Sequence, residues 1–160
     1  MPNDLKREML RHTFAALTYR GGKAIADAPE SFAEMKARET TRTPIEILAH
    51  IGDLLDWALQ MAREKPVWND SKPLPWEKET ERFFDCLEKF DKFLASDESL
   101  AQSCEKIFQG SIADALTHVG QINLLRRIHD APVRGENYFK AKIEIGRVGR
   151  EQSANRVEFD

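Results

Sequence analysis

Hydrophobic positions along the chain fall into four blocks of helical spacing, separated by stretches that break the period. Leu5, Met9, Leu10, Phe14 and Leu17 recur every three or four residues behind Asn3 or Asp4 as N-cap. They predict a helix over about 4–28, weakened at its far end by Gly21-Gly22 and stopped by Pro29. Ile47, Leu48, Ile51, Leu54, Leu55, Ala58, Leu59 and Ala62 then form a wide apolar stripe over about 44–64. Its start is marked by Thr43-Pro44-Ile45-Glu46, with a capping threonine, a proline at the first helical position and a glutamate three residues after the cap. Pro66, Pro73 and Pro75 keep residues 65–75 from being helical throughout, because each removes a donor and biases the residue before it toward extended backbone. Phe83, Leu87, Phe90 and Leu94, widened by Phe84 and Phe93, predict a third helix over about 76–95. The fourth, over about 111–130, follows Gly110 and opens on Ser111-Ile112-Ala113-Asp114, which reads as a capping box with aspartate in place of glutamate. It packs through Ile112, Leu116, Val119, Ile122 and Leu125 and ends ahead of Pro132.

Beyond it, residues 131–160 carry no strong period, and Tyr138, Phe139 and Phe159 are expected to pack back over the bundle or onto another subunit. Gly146-Arg147-Val148-Gly149 lacks the strand-to-helix context of a phosphate loop and implies no nucleotide. The pattern therefore predicts an all-α fold, one domain over 1–160: an up-down four-helix bundle with a long, mostly non-helical C-terminal tail.

Composition narrows the function classes. A chain of 160 residues, 41% hydrophobic and 32% charged, is the size and make-up of one globular domain. Its net charge is -3, and Lys and Arg are interspersed with acids, so no basic patch for a phosphate backbone is visible and nucleic acid is not expected as a partner. The first residues lack the apolar run of a signal peptide, and no later run approaches the ~20 residues that cross a bilayer. A cytoplasmic protein without a membrane partner is expected. Cys86 and Cys104 have no CxxC spacing and are expected as reduced bystander thiols.

The chemistry concentrates at two places. Asp114 and His118 stand four residues apart, one turn on a single helix face, so both can point at one object. His50 lies on the edge of the second helix's stripe, flanked by Ile47, Leu54 and Trp57. If those helices pack side by side, His50, Asp114 and His118 converge as ligands of a divalent metal. Two histidines and a carboxylate suit iron, manganese or zinc and leave positions open for water. Gln121, one turn from His118, can orient its imidazole, and Arg126 and Arg127 are candidates for an anionic substrate. The simpler alternatives are that Asp114 caps its helix and that Asp114 and His118 hydrogen-bond to each other. His12 has no carboxylate or histidine three or four residues after it, and His129 reads as a cation near a helix C-terminus.

Thr43-Pro44-Ile45-Glu46-Ile47-Leu48-Ala49-His50-Ile51 followed by Trp57, and Asp114-Ala115-Leu116-Thr117-His118-Val119-Gly120-Gln121 running into Leu125-Arg126-Arg127, resemble the DinB/YfiT-like family. The resemblance extends to the order and length of the helices, over most of residues 1–130. It implies a four-helix bundle that binds zinc or nickel through one histidine on helix two and an H-x3-H pair on helix four. His50 and His118 match the outer ligands; Asp114 stands where the middle histidine is expected. Family enzymes include thiol-dependent S-transferases and a maleylpyruvate isomerase that uses a low-molecular-weight thiol. The resemblance thus implies a metal-dependent hydrolase or thiol transferase for a small molecule, expected as a homodimer. The competing expectation is a non-catalytic stress-related or interaction bundle whose polar site is degenerate and metal-free.

Overall fold

The computed structural model describes residues 2–65 and 67–159, with side chains from Leu5 onward. Long helices α1 (Pro2–Ile25), α2 (Pro44–Ala62) and α3 (Trp76–Ala95) are followed by a short α4 (Cys104–Ile107), a π-helical turn (Phe108–Ile112) and α5 (Ala113–Ile128). The backbone of α1 is helical from Pro2, and the side chains expected to cap it, Asn3 and Asp4, lie outside the described residues, as does Pro66.

Local chemistry explains most of the boundaries. Thr43 accepts a hydrogen bond from the Glu46 amide while the Glu46 side chain accepts one from Thr43, which completes the expected capping box of α2. The helices α1, α2 and α5 are each followed, within two residues, by a non-glycine residue in the left-handed region: Asp27 at φ 52, Glu64 at φ 63 and Asp130 at φ 54. This turns the chain at Ile25, Ala62 and Ile128, two or three residues before the expected ends. Gly21 does not fray α1, because close packing requires a glycine there: a Cβ would lie 2.6 Å from Phe83 Cζ. The fourth helix begins earlier than expected. Ser103 is the cap, accepting from the Lys106 amide at 3.3 Å, and the helical path runs unbroken from Cys104 through the π turn into α5. Ser111 is therefore buried inside the helix and caps nothing.

Side-chain contacts give the direction of each helix. Arg11 of α1 meets Asp91 of α3 and Gly21 meets Phe83, so α1 and α3 are antiparallel. Arg82 of α3 meets Ala49 and Asp53 of α2 while Arg63, just past α2, covers Phe93, so α2 and α3 are parallel. Lys6 pairs with Glu105 and Arg126 reaches Ala24, which makes α1 and α5 parallel. The order around the bundle is α1, α3, α2, α5, with α1 diagonal to α2. This corrects the up-down expectation to up-down-down-up. Two consecutive parallel helices require a crossover, and the segment from Arg63 to Pro75 can reach about 40 Å, more than the about 28 Å length of α2.

The core lies along the bundle axis, with Phe14, Leu17, Leu48, Ile51, Leu55, Phe83, Leu87, Phe90 and Ile112 fully buried. Each contributes about 1.5–3 kcal/mol by leaving water. The Phe14 and Phe90 rings pack edge to face at 4.6 Å. Past α5, the described residues form turns and a two-stranded antiparallel ribbon, β1 (Gly135–Glu136) against β2 (Glu158–Phe159), with Glu136 opposite Glu158.

That ribbon is fastened by charge. Glu136 accepts from Lys23 Nζ at 2.8 Å and from the Tyr19 hydroxyl, both on α1, and Lys23 also reaches Glu158 at 3.1 Å. Burial works to raise the Glu136 carboxyl, but the bonds from Lys23 and Tyr19 outweigh it and hold it below the usual carboxylate range. Of the aromatic anchors expected here, Tyr138 packs back on α1, edge-on to Tyr19 at 6.2 Å, whereas the other two are corrected: Phe139 is 97% exposed and Phe159 is exposed, while Glu136 and Val148 are buried.

Candidate metal centre

The crossover topology sets α2 beside α5 in antiparallel contact and brings His50 against Asp114 and His118. The one ligand atom that each residue offers lies within 4.8 Å of the others. Asp114 Oδ1 is 3.4 Å from His118 Nε2, and Asp114 Oδ2 is 3.9 Å from His50 Nε2. The imidazoles stand perpendicular, with centroids 4.8 Å apart. Ligands held at ~2.0–2.1 Å around a tetrahedral ion are separated by about 3.3–3.5 Å, close to the shorter of these spacings. This group can hold a metal ion, as the four-residue spacing on α5 and the position of His50 on α2 predict.

Protons decide what the group can do. His118 Nδ1 lies 2.8 Å from Gln121 Oε1. An amide oxygen only accepts, so Nδ1 donates in this contact, and the neutral form of the ring then turns the Nε2 lone pair toward the Asp114 carboxylate. Two acceptors 3.4 Å apart repel unless a cation joins them. His50 is held below the ordinary imidazole pKa, first by burial, then by His118 and Arg42, against the opposing pull of Asp114. Its neutral form is the one that ligates. Asp114 lies beyond the π turn in a continuing helix, so it does not cap, and its side chain is half exposed. The π turn adds a residue to the helical path directly before Asp114, and such turns are frequent at functional sites.

A groove of about 490 Å³ opens beside the triad, with Thr41, Arg42 and Ile47 on one side, Leu124 and Leu125 on the other, and His50, His118 and Gln121 between. This is the volume range of small-molecule sites. Trp68, carried back along α2 by the crossover, packs edge-on to His50 and to Trp57, each at 5.7 Å. Sequence reasoning placed neither Arg42 nor Trp68 at the site, since both lie in connections whose path only the fold defines.

Arg126, a candidate for substrate anions, is buried and committed elsewhere. Its guanidinium donates to the carbonyls of Ala24, Ala26 and Ala131 at 3.1, 2.9 and 2.7 Å, closing the C-terminal end of α1. His12 is exposed, and His129 bonds Ser31 through Nε2 at 2.9 Å; neither joins the triad. Both cysteines are free, and burial pushes the Cys86 thiol up to about 11 and raises Cys104. Neither is a ready nucleophile at neutral pH. Among the described residues, no helix is long and apolar enough to cross a membrane. Comparison with protein-family models, curated proteins and solved structures yields no match.

Proposed function

We propose that this chain is a DinB-like, metal-dependent enzyme that acts on a small molecule, as a hydrolase or a thiol-dependent S-transferase. The observation that supports it best is the contact of Gln121 Oε1 with His118 Nδ1, which in the neutral ring leaves a lone pair on Nε2 facing a carboxylate oxygen at 3.4 Å. A hydrogen-bonded Asp114–His118 pair would use the proton that Gln121 draws to the other nitrogen.

His50, Asp114 and His118 would hold zinc, iron, manganese or nickel. Bound there, the ion would supply Lewis-acid activation of a water or a thiol at neutral pH. The chain's own residues do the remaining work. Gln121 accepts from His118 Nδ1, burial favours the neutral form of His50, and Trp68, backed by Trp57, packs edge-on against the His50 ring. A thiol co-substrate would come from outside, since the two cysteines are held protonated. A homodimer belongs to the same reading, through the exposed Leu5, Met9 and Phe108 on the α1–α4 face, and a compact monomer across a concentration series would count against it.

Elemental analysis of protein purified without chelator tests the centre. Near-stoichiometric metal is expected in the wild type, with loss in His50→Ala and in His118→Ala, followed by screens for hydrolysis and thiol transfer. No metal after reconstitution with zinc, nickel, iron(II) and manganese would sink the proposal.

A further inference from the structure

The groove beside the triad carries a feature that metal ligation does not use. Arg42 has its backbone fixed on both sides. Upstream, the Thr41 amide and hydroxyl both donate to the Arg38 carbonyl, at 3.1 and 2.9 Å, and the Arg38 amide donates to the Thr41 hydroxyl at 3.1 Å. Downstream, the Thr43 amide donates to Glu46 Oε2 at 2.7 Å in the capping box of α2. Between these two locks, the exposed Arg42 side chain forms no hydrogen bond or ion pair among the described residues, and its charge bears on the carboxylate of Glu46, itself bonded to Thr43.

Four other arginines on the helices are consumed by the protein, and Arg127 of α5, whose exposed side chain has no hydrogen bond or ion pair among the described residues, does not line the groove. Arg7 binds the end of α3, Arg11 binds Asp91, Arg82 binds Asp53 and Glu79, and Arg126 binds the end of α1. Arg42 instead lines the groove, near enough for its charge to bear on His50. Facing it, Leu124 leaves an exposed apolar side chain on the opposite wall, with Leu125 and Ile47 beneath. A guanidinium at one place and an aliphatic wall at another describe an amphiphilic anion. One guanidinium balances one charge, and the half-exposed Asp114 carboxylate opposes a second negative group near the triad.

We propose that Arg42 is the anion-recognition residue of this groove and that its substrates are small monocarboxylates with an apolar chain. The carboxylate sits on Arg42, the chain lies along Leu124, Leu125 and Ile47, and the reacting end points at His50 and His118. Only the role of that end rests on the metal-centre reading; the binding half stands on the groove itself.

Calorimetric titration with hexanoate, butyrate and 1-hexanol, on chelator-treated and on zinc-reconstituted protein, tests it. Hexanoate is expected to bind about tenfold or more tightly than 1-hexanol, and Arg42→Gln to remove that preference without changing 1-hexanol binding. Leu124→Ser is expected to abolish the advantage of hexanoate over butyrate. Zinc content equal to wild type, measured on each variant, and an unchanged thermal midpoint show that the fold and triad are intact. Arg42-dependent hexanoate binding to protein that takes up no zinc supports the inference while it defeats the metal reading. Equal affinity for hexanoate and 1-hexanol, an Arg42→Gln variant that binds hexanoate as wild type does, or no hexanoate binding would each overturn it.

Discussion

Two polar clusters hang from α2 one turn apart, at His50 and at Asp53, and they are built in opposite ways. Around Asp53 every group is answered. Arg82 donates from Nη1 to Asp53 Oδ1 at 2.8 Å, from Nε to Glu79 Oε2 at 2.8 Å and from Nη2 to the Ala49 carbonyl at 2.6 Å. The remaining carboxylate oxygens accept from the amides of Ser71 and Leu74, at 3.0 and 2.9 Å. Every donor and acceptor is matched inside the protein, with one guanidinium and two backbone amides answering two carboxylates, and the crossover is pinned to both helices. Around His50, α2 and α5 together bring a carboxylate and two imidazoles within ligand distance of one another, with no cationic side chain paired to them among the described residues. A closed account of donors and acceptors marks a cluster that holds the fold; a carboxylate and two imidazoles left without such partners mark one that can hold a cation.

The sharpest way to break this contrast is Arg82→Met. It strands Asp53 and Glu79, both buried, without their cation. Urea denaturation should show a loss of about 3–5 kcal/mol, against less than about 1 kcal/mol for His50→Ala in metal-free protein. Similar losses for the two variants would erase the distinction. Gln121→Ala comes next, because it frees the His118 tautomer without removing a ligand. Metal affinity should fall about 10- to 100-fold, read by competition with a chromophoric chelator, while metal-free stability stays within about 0.5 kcal/mol.

The smallest expected effect is in pH. The folded pKa of His50 lies below its unfolded value of 6.5 because burial disfavours the imidazolium, so the native state binds the proton less readily than the unfolded chain. The contribution of His50 to stability is therefore complete above pH 6.5, declines as pH falls toward the folded pKa and levels off below it. In metal-free protein the His50 ring proton resonance should titrate with a midpoint under 6.5, and a midpoint above 6.5 would contradict the burial argument.

Much of this was legible in the residues, and the rest was hidden for specific reasons. The starts of α2 and α3 were readable because Thr43, Pro44, Glu46 and Pro75 act through local sterics and hydrogen bonds that need no tertiary context. The triad was readable because i,i+4 spacing is a property of one helix, although its convergence on His50 needed α2 and α5 to be neighbours. The start of the last helix was misread, because Ser111 and Gly110 mimic a stop and a cap within a π turn and the actual cap, Ser103, has a lysine where a capping box has glutamate. Helix direction was not readable from apolar stripes, which look the same run either way; the length of the crossover was its one trace. Arg126 looked free for a ligand because two of the three carbonyls that occupy it, those of Ala24 and Ala26, lie a hundred residues or more away. In the tail, Phe139 was expected inside and Glu136 was not noticed, since the partners that permit its burial, Tyr19 and Lys23, belong to α1.

The π turn sets the aim of the site in a way that composition cannot. A helix read as a rotating pointer advances about 100° for each residue, so one surplus residue between Cys104 and Asp114 puts the two halves of this helix out of phase. Ile107 and Ile112 keep the near half seated in the core, and the far half is free to face α2. Removing Gln109 would restore a regular helix and force a choice between a packed near half and ligands pointed at His50. The bundle would survive, and the centre would be turned aside by a quarter of a revolution.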